Sequence, residues 1–127
     1  MLSVPVSIGE VIDKVTILEI KLTQITDPAK RGNIQFEHDA LCQVLHASGV
    51  LTDEVLTLKA SLKAINETLW TIEDDIRACE RRHVFDDSFI QLARSVYHTN
   101  DQRAAVKRAI NEITQSNMME EKSYQAY

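Results

Sequence analysis

The chain has 127 residues and a net charge of −5, with 44% hydrophobic and 26% charged residues. This length suits a single domain spanning residues 1–127, and the composition is too apolar for a disordered chain. Three glycines and two prolines are too few for the many tight turns of a β-sandwich or β-barrel. The net negative charge argues against a protein dedicated to binding nucleic acid or an anionic membrane surface. We therefore expect a soluble helical domain without a nucleic-acid partner.

The sequence carries no targeting pattern and no disulfide framework. The first residues are uncharged and lack a signal-peptide pattern, and no apolar run approaches the ~20 residues of a membrane span. Two cysteines, Cys42 and Cys79, are typical of free thiols in a reducing compartment. We expect a cytoplasmic protein with no membrane span.

The first two helices are predicted from capping signals. Ser7 and Glu10 form a capping box, in which the serine hydroxyl accepts from a backbone amide and Glu10 reaches back. Helix 1 is predicted over residues 8–26, because apolar residues recur at steps of three and four. Helix 2 is predicted from Asp27-Pro28 to about His46, since Asp is a good N-cap and Pro suits the first helical position. The predicted helix 1 seam consists of Ile8, Val11, Val15, Leu18, Leu22 and Ile25.

Helix 3 has the most regular pattern in the sequence. Apolar residues alternate at steps of three and four from Leu51 to Cys79, and Thr52 or Asp53 caps the start. A helix over residues 52–83 would be roughly 45 Å long. A compact domain of this size is only about 36 Å across. We therefore expect an elongated bundle with companion helices along helix 3, and a homodimer.

The last part of the chain is predicted to form two more helices and a tail. Asp86 or Asp87 caps a short helix 4 whose apolar inner face includes Phe89, Val96 and Tyr97, and Thr99 or Asn100 starts helix 5. The tail from Met118 is weakly helical at best. Together these patterns predict an all-α fold, an elongated antiparallel bundle of four to five helices.

Several acidic, histidine and cysteine groups resemble metal ligands in type. Two helical pairs, His38 with Cys42 and Cys79 with His83, would lie roughly 35 Å apart in an antiparallel hairpin. Glu80 and His83 match a single di-iron motif where two are needed. Residues 73–75 fan out around a helix and cannot converge on one ion, and Glu73 is better interpreted as an ion-pair partner of Arg77. We expect no metal and no cofactor.

A basic face in the last helix has two interpretations. Arg103, Lys107 and Asn111 share one face, Arg108 lies beside it, and Lys122 and Tyr124 follow in the tail. These side chains could hold a phosphate or carboxylate group. They could equally form ion pairs with Glu112, Glu120 and Glu121. The spacing leaves both alternatives open.

Two blocks of sequence carry a family resemblance. They are PVSIGEVIDKVTILEIK (residues 5–21) and NDQRAAVKRAIN (residues 100–111), followed by EEKSY (residues 120–124). With them the whole chain resembles a family of small, uncharacterised bacterial proteins known as a domain of unknown function. The resemblance implies that these two end blocks are what the family shares. It implies no activity, cofactor or catalytic residue.

Both blocks are rich in polar residues, which packing alone does not require. If the last helix runs antiparallel beside helix 1, its tail lies near Glu10, Asp13 and Lys14. That arrangement predicts a polar cluster built from both ends of the chain, either an ion-pair network or a small-ligand site. The candidate site residues are Glu10, Asp13, Lys14, Arg103, Lys107, Arg108, Asn111, Glu121, Lys122 and Tyr124.

Two functions of different class follow from the sequence. The first is a non-catalytic, dimeric interaction or structural module. The second is a binder of, or an enzyme acting on, a small phosphorylated or carboxylated ligand such as a nucleotide sugar. In the second, Arg103, Lys107, Arg108 and Lys122 would neutralise charge, Glu10 or Glu121 would transfer protons, and Tyr124 would donate a hydrogen bond.

Overall fold

The computed structural model describes residues 1–116, 120–121 and 123–127. Within them it has no strand, and the all-α helical bundle is confirmed. None of the helices in these ranges is both long enough and apolar enough to cross a membrane. The four helices are α1 (Ile8–Gln24), α2 (Pro28–Ser48), α3 (Asp53–Arg82) and α4 (Asp87–Ile113).

Each helix begins at a residue whose side chain accepts from a backbone amide three residues later. These N-caps are Ser7, Asp27, Thr52 and Asp86. They satisfy amides that have no partner inside the helix. Only the serine half of the predicted capping box is formed, because the Glu10 carboxylate binds Lys107 instead. The break after α2 falls at Gly49, whose φ of 72° lies in the left-handed region.

The predicted helices 4 and 5 are one continuous helix, α4, so the predicted break at Thr99 or Asn100 is wrong. Thr99 is buried within the helix and only 8% exposed. Residues that often cap helices, such as Thr and Asn, are weak signals of a helix start when neither Gly nor Pro accompanies them. Their helix propensity is only modestly unfavourable, and the packing of α4 along α3 outweighs it.

Helix α1 lies at the centre of the bundle, in contact with all three other helices. As residue numbers rise along α1, the residues that it contacts in α2 and in α4 fall in number, so both helices are antiparallel to α1. In α4, for example, Glu10 contacts Lys107 and Asp13 contacts Arg103. Helices α3 and α4 form an antiparallel hairpin with the most extensive helix contact in the molecule. Helix α2 packs along α1 alone.

The core lies where α1 packs against the other three helices. It contains Ile12, Val15, Leu45, Val55, Leu62 and Ile110. Helix α1 buries more than the predicted seam, since Ile12 and Ile20 are buried while Leu22 and Ile25 are only half-buried. The reason is that helices cover α1 on three sides, whereas a heptad seam assumes a single partner.

Helix α3 is unbroken over 30 residues, as the heptad pattern predicts. Its buried residues, Val55, Leu62, Asn66 and Ile72, all lie in its first two-thirds. No residue between 73 and 98 is fully buried, because there α3 and α4 have only each other. We call residues 73–98 the distal arm, and this arm makes the bundle elongated.

Candidate functional site

The antiparallel packing of α1 on α4 joins side chains that are far apart in sequence. Contacting residues are separated by 90 to 108 positions. We call this group the α1–α4 clasp. It consists of Glu10 and Asp13 from α1 with Arg103, Lys107 and Asn111 from α4.

The Asp13 carboxylate is the most deeply buried charge of the clasp, at 1% exposure. Arg103 donates to both of its oxygens, with an Nε–Oδ1 distance of 3.0 Å. Asn66 of α3 donates to Oδ1 at 2.8 Å. The hydrogen bond to Asp13 raises the pKa of Arg103 despite partial burial. The pair is bidentate, which is the strongest geometry for arginine and a carboxylate.

Lys107 is a buried lysine with two carboxylate partners. Its residue is 6% exposed, and Nζ lies 2.8 Å from Glu10 Oε2 and 2.8 Å from Glu120 Oε2. Burial alone would lower its pKa, but the hydrogen bonds to Glu10 and Glu120 outweigh burial and raise the pKa. Lys107 is therefore held in its charged form by its neighbours.

A close backbone approach anchors the start of α1 on α4. The Gly9 amide donates to Asn111 Oδ1 at 2.7 Å. A Cβ atom at Gly9 would lie 2.6 Å from the Lys107 carbonyl oxygen. Only glycine fits at this crossing, and Asn111 is 1% exposed beneath it.

The other predicted site residues lie apart from the clasp. Lys14 faces α2, where its Nζ is 3.5 Å from Glu37. Arg108 is exposed and pairs with Glu112 and Glu121. Arg108 donates hydrogen bonds to Glu121 and Glu112, and these raise its pKa. Tyr124 is 83% exposed. Lys122 lies outside the described residues.

The end of the tail folds back onto α4. The Tyr127 hydroxyl donates to Asp101 Oδ2 at 2.5 Å, and this hydrogen bond raises the pKa of Tyr127. The Tyr127 ring contacts Tyr97 and His98 edge to face. Tyr124 and Tyr127 line a cavity of about 690 Å³ against α4.

A groove adjoins the clasp between α1, α3 and α4. Its volume is about 480 Å³, and Trp70 and Arg103 both line it. We call it the Trp70 groove. Asn66 and Trp70 were not among the residues predicted from the sequence. The position of Asn66, a polar residue next to Ile65 of the apolar seam of α3, was the one signal that could have indicated it.

A second charged network joins α1, α2 and α3 around Glu19. Its carboxylate lies 3.0 Å from His38 Nε2, 3.1 Å from Lys59 Nζ and 3.2 Å from Lys63 Nζ. Burial would raise the pKa of Glu19, but the hydrogen bonds to His38, Lys59 and Lys63 lower it. Burial raises the pKa of the neighbouring Cys42 thiol.

The residue groups that resembled metal ligands are separated in the fold. Cys42 lies beside His38 on α2, with Sγ 3.6 Å from Nε2. Cys79 lies in the distal arm. Within residues 1–116, 120–121 and 123–127, no group of three His, Cys, Asp or Glu residues is placed to hold a metal ion. Glu73 pairs with Arg77 at 3.5 Å, as the spacing predicts.

The class of protein is therefore an all-α bundle whose first and last helices are joined by a buried polar clasp. Residues 2–127 match the model of a family of unknown function, DUF6165, and the chain belongs to this family. Comparisons with curated proteins and with solved structures gave no match.

Proposed function

We propose that the protein is a non-catalytic interaction module that forms a homodimer through the outer face of α2. The observation that carries this proposal is an uncharged stripe, apolar at every position except Asn33, on the side of α2 that faces away from α1. Phe36 on this stripe is 73% exposed and Val44 is 61% exposed. Apolar side chains on the solvent side of a surface helix are typical of a contact surface.

The stripe contains no charged residue over five helical turns. Its members project opposite to Ile34 and Leu45, which bury the inner face of α2. All six are exposed. We call them the α2 stripe: Ala29, Asn33, Phe36, Ala40, Val44 and Ala47.

The spacing of the α2 stripe matches a second copy of the same chain. In an antiparallel pair of α2 helices with a two-fold axis at Ala40, Ala40 meets itself across the axis. Phe36 then faces Val44 of the second copy, and the reverse holds by symmetry. Small residues at the axis let two helices approach closely while the larger side chains interlock beside them.

The expected affinity is modest. The stripe is roughly 27 Å long. One helix pair of this length buries less than the about 800 Å² per partner of a standard interface. A Kd on the order of 10 µM is expected for an interface at this small end.

This proposal moves the dimer contact from α3 to α2. The length of α3 alone favoured a second copy along its exposed half. Helix α4 packs beside α3 to the end of the hairpin, so the distal arm has its own companion. Helix α2 has only α1.

The test is sedimentation equilibrium from about 1 to 500 µM, a range that brackets the expected Kd. The wild-type chain is expected to shift from monomer to dimer. Ala40→Glu places two carboxylates at the axis and is expected to stay monomeric. Ala60→Glu, the same substitution at an exposed position of α3, is the matched control and is expected to dimerise like the wild type.

A charge-swap mixture tests the register. Ala40→Lys alone is expected to be monomeric, whereas an equimolar mixture with Ala40→Glu recovers dimers because the axis joins opposite charges. A wild-type chain that remains monomeric at 500 µM would contradict the proposal. So would Ala40→Glu dimers as stable as those of the wild type.

The alternative function, binding of a small phosphorylated or carboxylated ligand at the clasp, has less support. Lys107, Arg103 and Arg108 each lie within hydrogen-bond distance of a carboxylate, which favours an ion-pair network. A thermal-shift panel of nucleotides, sugar nucleotides and sugar phosphates tests this alternative. A ligand at a hundredfold its Kd adds about 2.7 kcal/mol of stability.

We also propose a cytoplasmic location. Cys42 and Cys79 are both free thiols, and free thiols are typical of a reducing compartment. Fractionation of cells that express the tagged full chain tests this location. Recovery in an oxidising compartment would contradict it.

A further inference from the structure

We infer that the Trp70 groove binds a small organic cation with an apolar body. The groove lies where α1 leaves the α3–α4 hairpin, and its volume is about 480 Å³. Small-molecule sites have volumes of roughly 300 to 1,000 Å³, mostly apolar walls and a few polar groups. The groove has this composition, and neither its formation nor its lining involves the α2 stripe.

The walls of the groove are mainly apolar. Trp70 and Leu69 come from α3 and Val96 from α4, while Ile17 and Ile20 come from α1. Trp70 is half-buried, so one part of its indole is open to the groove. An aliphatic chain or a ring fits against such a wall, and the face of an indole attracts cations.

The two arginines of the groove are already paired. Arg103 is neutralised by its bidentate contact with Asp13. Arg77 lies 3.5 Å from Glu73. Asp74 also lines the groove, and among the described residues it has no ion-pair partner. The local charges therefore leave one carboxylate uncompensated, which favours a positively charged ligand.

The buried amide of the groove also favours a hydrogen-bond donor. Asn66 is 6% exposed, and its Nδ2 donates to Asp13 at 2.8 Å and to Thr16 at 2.9 Å. Both amide hydrogens are thus used. Its Oδ1 accepts no hydrogen bond from any side chain or amide in the described ranges, although Asn66 lines the groove. No buried side-chain oxygen of the described residues lacks a hydrogen-bond partner, so this Oδ1 is open to the groove, where an ammonium or amine group can donate to it.

These observations select the ligand class. Asn66 Oδ1 offers an acceptor, Asp74 offers a negative charge and Trp70 offers an apolar face. A ligand that carries a protonated amine on a short hydrocarbon chain matches all three. An anionic ligand would meet an uncompensated carboxylate and an acceptor instead.

The probe is 1,5-diaminopentane, and pentanedioate is its matched dianion of the same chain length. Trp70 is the single tryptophan of the chain, so its fluorescence reports binding at the groove. The diamine is expected to give a saturable change in Trp70 fluorescence and a matching binding isotherm by calorimetry. Pentanedioate is expected to give neither.

Two neighbouring variants assign the charge contact. Asp74→Asn is expected to weaken diamine binding at least tenfold. Asp75→Asn removes the same charge from the adjacent exposed position, which does not line the groove, and is expected to bind like the wild type. Trp70→Leu, followed by calorimetry alone, is expected to weaken binding while the helical circular dichroism is retained.

Three results would overturn the inference. One is the lack of saturable diamine binding to the wild-type chain. Another is equal weakening by Asp74→Asn and Asp75→Asn, since that would show general charge attraction. The third is tighter binding of pentanedioate than of the diamine, which would make the groove an anion site.

Discussion

Asp13 and Arg103 carry opposite charges at a position where water cannot reach the carboxylate. The side chain of Asp13 is 2% exposed and that of Arg103 is 28% exposed. Removing water from two charges costs several kcal/mol, and the cost is offset only when geometry and hydrogen bonds are good. Here Asn66 adds a third hydrogen bond to the carboxylate. Removal of one partner leaves the other buried group without its hydrogen bonds. A single substitution therefore lowers the free energy of unfolding by much more than the net contribution of the ion pair to that free energy.

We predict that Asp13→Asn lowers the free energy of unfolding by about 3 kcal/mol, because it leaves Arg103 without its counter-charge. Urea denaturation at pH 7 measures this change. A double-mutant cycle with Arg103→Met is expected to give a coupling energy of at least about 1 kcal/mol. Arg108→Ala removes an exposed ion pair and is expected to have little effect on stability. Equal effects of the Asp13 and Arg108 substitutions would contradict this account.

The Glu19 network predicts a pH dependence. Its hydrogen bonds lower the pKa of Glu19 in the fold, so the unfolded chain takes up a proton more readily than the folded protein does. The stability that Glu19 adds is present above the ordinary pKa of about 4.3 and is lost as the pH falls through the lowered value.

Glu19→Gln is therefore expected to cost about 1 kcal/mol at pH 7. The difference from the wild type shrinks as the pH falls below the ordinary pKa of glutamate and through the lowered pKa of Glu19. Urea denaturation at several pH values measures it. Glu73→Gln, in an exposed pair with Arg77, serves as the control and is expected to have little effect at pH 7. A wild-type advantage that persists unchanged at low pH would refute the role of Glu19.

At the scale of elements, two glycines in helices make opposite predictions. Gly9→Ala forces α1 away from α4, because its Cβ would lie 2.6 Å from a backbone oxygen. It is expected to destabilise the fold by about 2 kcal/mol. Gly32→Ala meets open space on α2 and is expected to stabilise by about 0.5–1 kcal/mol through helix propensity. Thermal and urea unfolding measure both, and a stabilising Gly9→Ala would contradict the close approach.

Helix boundaries could be predicted wherever a cap and a periodic apolar face agree. Ser7, Asp27 and Thr52 each combine a side-chain acceptor with a following apolar pattern, and all three are N-caps. Thr99 and Asn100 have the same residue types without a helix breaker before them. The residue types at this point are compatible either with the start of a new helix or with the continuation of the same helix. Packing against α3 stabilises the continuous helix.

The clasp was predictable in outline, and the groove was not. If the last helix runs antiparallel beside helix 1, polar residues of these two helices are predicted to meet, and Glu10, Asp13, Lys107 and Asn111 do so. The partner of Lys14 depends instead on how α1 is rotated between α2 and α4. The Trp70 groove depends on the angle at which α1 leaves the hairpin, and a one-dimensional pattern contains no such angle.

At the scale of the whole molecule, stability is expected to fall along the distal arm. Residues 62–66 lie where three helices meet, whereas no residue from 73 to 98 is fully buried. Regions with little buried apolar area open by local unfolding at lower cost than the core. Amide hydrogen exchange is expected to be at least tenfold faster at residues 78–82 than at residues 62–66. Equal protection of the amides from exchange along the whole of α3 would contradict local unfolding of the distal arm and would indicate that another surface covers it.

The clasp also affects the order in which the chain acquires its structure during synthesis. Asp13 is made early, but Arg103 is made 90 residues later, and Gly9 waits 102 residues for Asn111. Translation proceeds at roughly 5–20 residues per second. The ribosome therefore exposes α1 for several seconds before its charged partners exist. During that interval the acidic groups of α1 remain hydrated, and final docking waits for the last turns of α4 to leave the exit tunnel.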